Sequence, residues 1–187
     1  LGIVSPKVFN NVLTAISVPS NGLINPQNEN TALAMEIYNN TMFYLSNIGA
    51  LCIYIEGDTG TLFKNNIAYN CGEAVFTSGG GTPSSASDYN DYNGYTSING
   101  LTFAAWKTSC SCDSHSITTA PNFDTGTFRL NIGSPLIGAG VNLTSLGIAA
   151  LDLDRAGIGR PGGSTAWDIG AYQFVSSPTG TTLSLNT

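Results

Sequence analysis

The sequence predicts an all-β fold of stacked parallel coils. Three observations carry that prediction: turn-forming residues in great excess, an Asn pair recurring at coil-like spacing, and short alternating strands around each pair. Of 187 residues, 80 are Gly, Ser, Thr or Asn, and only 10% are charged, against about 25% in an ordinary soluble domain. A helical bundle would need Ala, Leu, Glu and Lys in quantity. Disorder is disfavoured by 8 Tyr, 8 Phe, 2 Trp and a mean hydropathy of +0.08.

The repeat is explicit. The segments VFNNV, IYNNT, LFKNNI and SDYND begin at Val8, Ile37, Leu62 and Ser87. Their aligned Asn residues are Asn10, Asn39, Asn65 and Asn90, at spacings of 29, 26 and 25. The next position reads Asn11, Asn40, Asn66 and Asp91. A second register sets Gly49 over Gly72. A period near 25 residues with several short strands suits one coil of a parallel β-helix. Asn tolerates the left-handed backbone of a sharp bend. Stacked at the strand spacing, its amides can bond from coil to coil. Asn10, Asn39, Asn65 and Asn90 are therefore the expected ladder. Chance recurrence in an Asn-rich chain is the poorer account of four copies in one register.

The rhythm fails after about residue 82. SGGGTPSSAS reads as a loop, LTFAAWKT as a short amphipathic helix, and the remainder as an irregular cap covering the last coil. Asp152, Asp154 and Asp168 surround Arg155 and Arg160. Asp–Arg pairs tying the cap together, with Arg160 central, are the favoured reading. Ca²⁺ on Asp152 and Asp154 is the minor alternative. No other cofactor is indicated.

From about 87 to 174 the chain resembles the end of right-handed parallel β-helix repeat proteins. These are the pectate-lyase-like secreted proteins of bacteria, of the "choice-of-anchor Q" type. The resemblance rests on SDYNDY, Trp106, DSHSI, PNF, FRLNIGSPLIGAG, DLDRAGIGRP and DIGAYQF in that order. Gln173 and the DLDRAG turn depart from the usual pattern. The resemblance implies a right-handed β-helix of about three to four coils, an extracellular or cell-surface location and association with polysaccharide. It carries no catalytic signature. The expected organisation is coils over 1–95, a last coil and cap over 96–174, and a Ser/Thr/Pro-rich tail or linker over 175–187.

Twelve acidic residues against six basic ones give a net charge of −6. That excludes the basic face a nucleic-acid binder requires, and no apolar run is long enough for a transmembrane helix. Four cysteines, Cys52, Cys71, Cys110 and Cys112, allow three pairings. Cys52, in an apolar run, reads as a buried small hydrophobe. Cys110 and Cys112 either close a small ring or stay reduced.

Carbohydrate cleavage would need a carboxylate pair across the scissile bond. Glu56, Asp58, Asp88 and Asp91 are the available acids, each more readily explained as a turn residue. Asp113-Ser114-His115-Ser116 contains the chain's one His, but without a nucleophile elbow. Local hydrogen bonding is its favoured role. Tyr89, Tyr92 and Tyr95 are candidates for stacking on sugar rings. The favoured function is a structural or glycan-binding module, the C-terminal part of a longer polysaccharide-associated protein. The alternatives are a glycoside hydrolase or lyase with a cleft on the coil face, and a filament or adhesin subunit associating end to end through its N-terminal coil edge.

Overall fold

The computed structural model describes residues 5–16, 22–25, 34–45 and 50–176. The expected Gly49 register and nearly all of the tail lie outside these residues. Among the described residues ten strands form three sheets, and every strand pair is parallel. The first sheet runs in the order β1 (Lys7–Phe9), β3 (Glu36–Tyr38), β6 (Thr59–Lys64), β9 (Thr82–Pro83). The second contains β2 (Val12–Ala15), β4 (Thr41–Tyr44), β7 (Ile67–Tyr69) and β10 (Asp91–Asn93). The third pairs β5 (Leu51–Glu56) with β8 (Glu73–Ser78), flanked by single bridges from Ile24 to Ile53 and from Glu73 to Ser97. The chain visits first, second and third sheet in turn and then returns to the first.

Register stacks like upon like. Val8, Ile37 and Phe63 pair across the first sheet, and Leu13, Met42, Ala68 and Tyr92 across the second. Strand alternation sends these inward, where they join Ile53, Val75 and Ile98 in one core.

Between the first two sheets the chain bends at each Asn pair. Asn10, Asn39 and Asn65 have φ of 56°, 50° and 57°, the left-handed conformation Asn tolerates. In the last circuit that position is Tyr89, with φ of 59°. Asp91 pairs with Ile67, so Asn90 stacks on Asn66, not on Asn65. This corrects the expected ladder by one residue. The internal ladder is Asn11, Asn40, Asn66 and Asn90. Each Oδ1 from Asn40 onward accepts the backbone N–H and the side-chain amide of the preceding circuit's Asn, at 3.0 and 3.1 Å.

The expected cap region, 96–174, divides in two. What covers the end of the core is α1 (Phe103–Cys110), N-capped by Thr102, whose Trp106 is buried. Residues 121–174 lie instead along the outside of the first two sheets. The reason is that these outer faces are themselves apolar. Tyr38, Phe9 and Leu62 pack with Leu143, Leu151 and Trp167, while Ile67 and Tyr69 pack with Leu130, Leu136 and Ile169. The outward Asn residues dock this segment: Asn10 donates to Leu153 O (2.8 Å), Asn65 to Val141 O (2.8 Å), and Asn39 to Gly170 O (3.4 Å). Gly170 has φ +103°, a backbone conformation that L side chains rarely adopt, and a Cβ there would also crowd Ile67 Cδ1 (2.5 Å) and Thr41 Oγ1 (2.9 Å).

Arg160 forms no ion pair within 4 Å among the described residues, contrary to the expected Asp–Arg ties. It is 7% exposed and donates to Asn10 Oδ1 and Gly170 O, both at 3.1 Å, with its guanidinium over Trp167. Burial lowers its pKa to about 10, against the pull of Asp154 and Asp168. The Asp residues serve backbone donors instead. Asp154 accepts from the N–H groups of Ala156, Ile158 and Gln173, and Asp168 from those of Gly138 and Phe174. Donors converging on Asp154 are what a carboxylate wants and a Ca²⁺ site does not, so this set does not fit the cation. Asp152 Oδ1 is buried without a partner.

Candidate functional site

All four cysteines are bonded, as Cys52–Cys71 and Cys110–Cys112. Cys52 is thus buried, as its apolar run suggests, but is not a lone hydrophobe. The sulfurs of Cys110 and Cys112 lie beside the Asp113 carboxylate in a metal-like grouping, yet they are consumed in a bond to each other.

Asp113 terminates the Asn ladder. It is 1% exposed, and its two oxygens accept from Asn90 Nδ2 (3.0 Å), Ser116 Oγ (2.5 Å), Tyr92 OH (2.9 Å) and Trp106 Nε1 (2.8 Å). Burial pushes its pKa up, and these four donors only partly offset that. Tyr92, expected as a sugar platform, is therefore buried and committed to Asp113. Tyr95 is partly buried against the core.

The acids expected as catalytic have different surroundings. Asp58 is buried and accepts from Met35 N and Thr61 Oγ. Glu56 closes β5 in register with Ser78. Asp91 is fully buried on the outer face of the second sheet, in register with Ile67 and Ile117, and its pKa rises to about 8 through burial. Among the described residues, Asp58 and Asp88 share no hydrogen-bond partner.

Asp88 and Tyr89, in contrast, form a surface cluster with Ser114 and His115. Asp88 Oδ2 meets His115 Nδ1 at 2.6 Å and accepts from Ser114 Oγ at 2.9 Å, while Oδ1 accepts the N–H groups of His115 (2.7 Å) and Tyr89 (2.9 Å). Burial pushes the Asp88 carboxyl up, but these hydrogen bonds outweigh it and hold it below the usual range. The Tyr89 and His115 rings stack at 4.8 Å and 8°. Ser114 and Asp88 both meet Nδ1, so this is not the relay of a nucleophilic triad, which needs Ser on the opposite nitrogen. The favoured local-bonding role of His115 understates the arrangement, because its acidic partner comes from one circuit earlier, 27 residues away. The αL backbone at Tyr89 was the missing signal, since a bulky residue there is a genuine outlier.

No family model, curated protein or solved structure matches this chain. The fold is all-β, built of parallel sheets with little helix. No helix among the described residues is long and apolar enough to cross a membrane.

Proposed function

We propose that this chain is a right-handed parallel β-helix module, of the pectate-lyase-like kind it resembles, in a secreted or cell-surface protein, and that it binds neutral polysaccharide rather than cleaving it. The cyclic order of the three parallel sheets and the continuous Asn ladder support the β-helix. Two disulfides suit an oxidising compartment. The observation that carries the binding role is the Asp88–Tyr89–Ser114–His115 cluster. It offers a tyrosine held on an otherwise disfavoured backbone, an exposed imidazole fixed through Nδ1 and a serine hydroxyl oriented by Asp88. An aromatic edge with oriented polar groups suits a sugar ring and its hydroxyls. The net charge of −6 favours a neutral glycan over an acidic one.

The test is affinity electrophoresis of the chain and of Tyr89→Ala and His115→Ala through neutral and acidic polysaccharides. Retardation by a neutral polymer, lost in both variants, is expected, with no reducing-end or unsaturated product released. Release of either product favours the enzyme reading instead. Unchanged migration in every polymer removes the binding role.

A further inference from the structure

The Cys110–Cys112 bond encloses a single residue, sits at the end of α1, and differs from Cys52–Cys71 in its surroundings. Cys52 and Cys71 are both fully buried. Cys110 is only partly buried and lines an open groove of about 320 Å³ with Thr77, Thr82, Pro83, Asn99 and Ser109. Its partner Cys112 is 5% exposed. So Cys110 is the more exposed member of the pair and the one on the groove, which favours attack there. Ser111, between them, is held at φ 52°, a left-handed conformation disfavoured for Ser.

The buried sulfur also has a place to go. Cys112 Sγ lies 3.5 Å from Asp113 Oδ2, so the thiol formed there on reduction can share that oxygen with Tyr92 and Trp106. A buried thiol without a partner would make reduction costly; this one is provided for.

We propose that Cys110–Cys112 is a thiol–disulfide exchange site, attacked at Cys110 by an external thiolate entering along the groove. The incoming thiol loses its proton, and its sulfur bonds to Cys110 Sγ. The Cys110–Cys112 bond breaks, and Cys112 leaves with the electron pair, takes up a proton and donates it in a hydrogen bond to Asp113. A second thiol attacks the external sulfur of the mixed disulfide and frees Cys110 as a thiol. Two thiols are oxidised to one disulfide, and this chain gains two electrons and two protons.

The probe is glutathione under native conditions, with timed alkylation and peptide mass mapping. Cys110–Cys112 is expected to open at least about tenfold faster than Cys52–Cys71, because access and leaving-group environment govern the rate. With Cys112→Ser, oxidised glutathione is expected to place an adduct on Cys110, releasing one reduced glutathione. With Cys110→Ser, Cys112 should stay unmodified. If a variant does not fold, brief exposure of the wild-type chain still locates the first adduct. Equal reduction rates for the two disulfides, or first modification at Cys112, would overturn the proposal. The assay uses no glycan, so it stands or falls apart from the binding role.

Discussion

Asn66 Oδ1 accepts two hydrogen bonds from Asn40, one from its backbone N–H at 3.0 Å and one from its side-chain amide at 3.1 Å. Asn66 in turn donates to Ile37 O, Lys64 O and Asn90 Oδ1. One amide thus satisfies polar groups in three successive circuits of a buried column without any charge. Asn66→Asp should be nearly as damaging as Asn66→Ala, since a carboxylate cannot donate and would face the Asn90 oxygen. Each variant leaves at least two buried groups unpaired, at about 1–3 kcal/mol apiece. A loss of about 3–5 kcal/mol in urea unfolding is expected. Asn10→Gly keeps a residue suited to φ > 0 and loses only docking contacts, so about 1–2 kcal/mol is expected there. Equal losses at the two positions would show that the inner column is not special.

Much of this was legible in the sequence, and the limits are physical. The pairing of Asn residues predicts both a bend and a ladder, and the structure contains both. The one-residue slip at Asn90 arises because Tyr89 occupies the left-handed position that Asn fills elsewhere, held there by Asp88 and His115. No residue-type match reveals that substitution. The lateral packing of residues 121–174 is hidden for another reason. Tyr38, Ile67 and Tyr69 face outward, yet in a strand of three residues an outward apolar residue reads the same as an inward one. The Cys52–Cys71 pairing depends on the spatial approach of two cysteines 19 residues apart in successive circuits, which spacing does not settle.

Asp91 gives the fold a pH dependence. Its pKa is about 8 when folded, against 3.8 when unfolded, through burial beside Ile67 and Ile117. The folded state therefore holds the proton more tightly. Its stabilising contribution is complete below about pH 3.8 and is lost as pH rises to about 8. The slope in that window is at most about 1.4 kcal/mol per pH unit. Asp91→Asn should flatten this component and make the variant more stable than the wild type above pH 8. Parallel stability–pH curves for the two proteins would rule out Asp91 as the source.

Arg160 is held by neutral acceptors and by Trp167, not by a direct carboxylate. Arg160→Ala should lower stability by about 2–4 kcal/mol, because buried hydrogen bonds and ring packing are lost together. Arg160→Lys should recover only a small part, since an ammonium cannot reach Asn10 and Gly170 with one planar fork. Because the site is buried and lacks a close ion pair, 1 M salt should leave these differences nearly unchanged. A Lys variant with wild-type melting temperature would assign Arg160 a merely electrostatic role.

The last prediction concerns the edge formed by β1 and β2, each of which pairs on one side only among the described residues. Val8 and Leu13 pack against the core but stay partly exposed, so this edge joins open backbone to apolar side chains. The carbonyls of Asn11 and Ala15 accept from Thr41 N and Leu45 N of the neighbouring circuit. By strand alternation, Val12 and Thr14 aim their N–H and C=O groups at the open side. Thr14 is exposed and is the place to intervene. Thr14→Pro removes one outward N–H without touching the bonds to β4, so it should block edge pairing and leave the fold intact. Sedimentation of the wild-type chain at high micromolar concentration should show reversible association, and Thr14→Pro should sediment as a monomer. A wild-type chain that stays monomeric throughout would mean that the edge is covered and that end-to-end association is not a property of this protein.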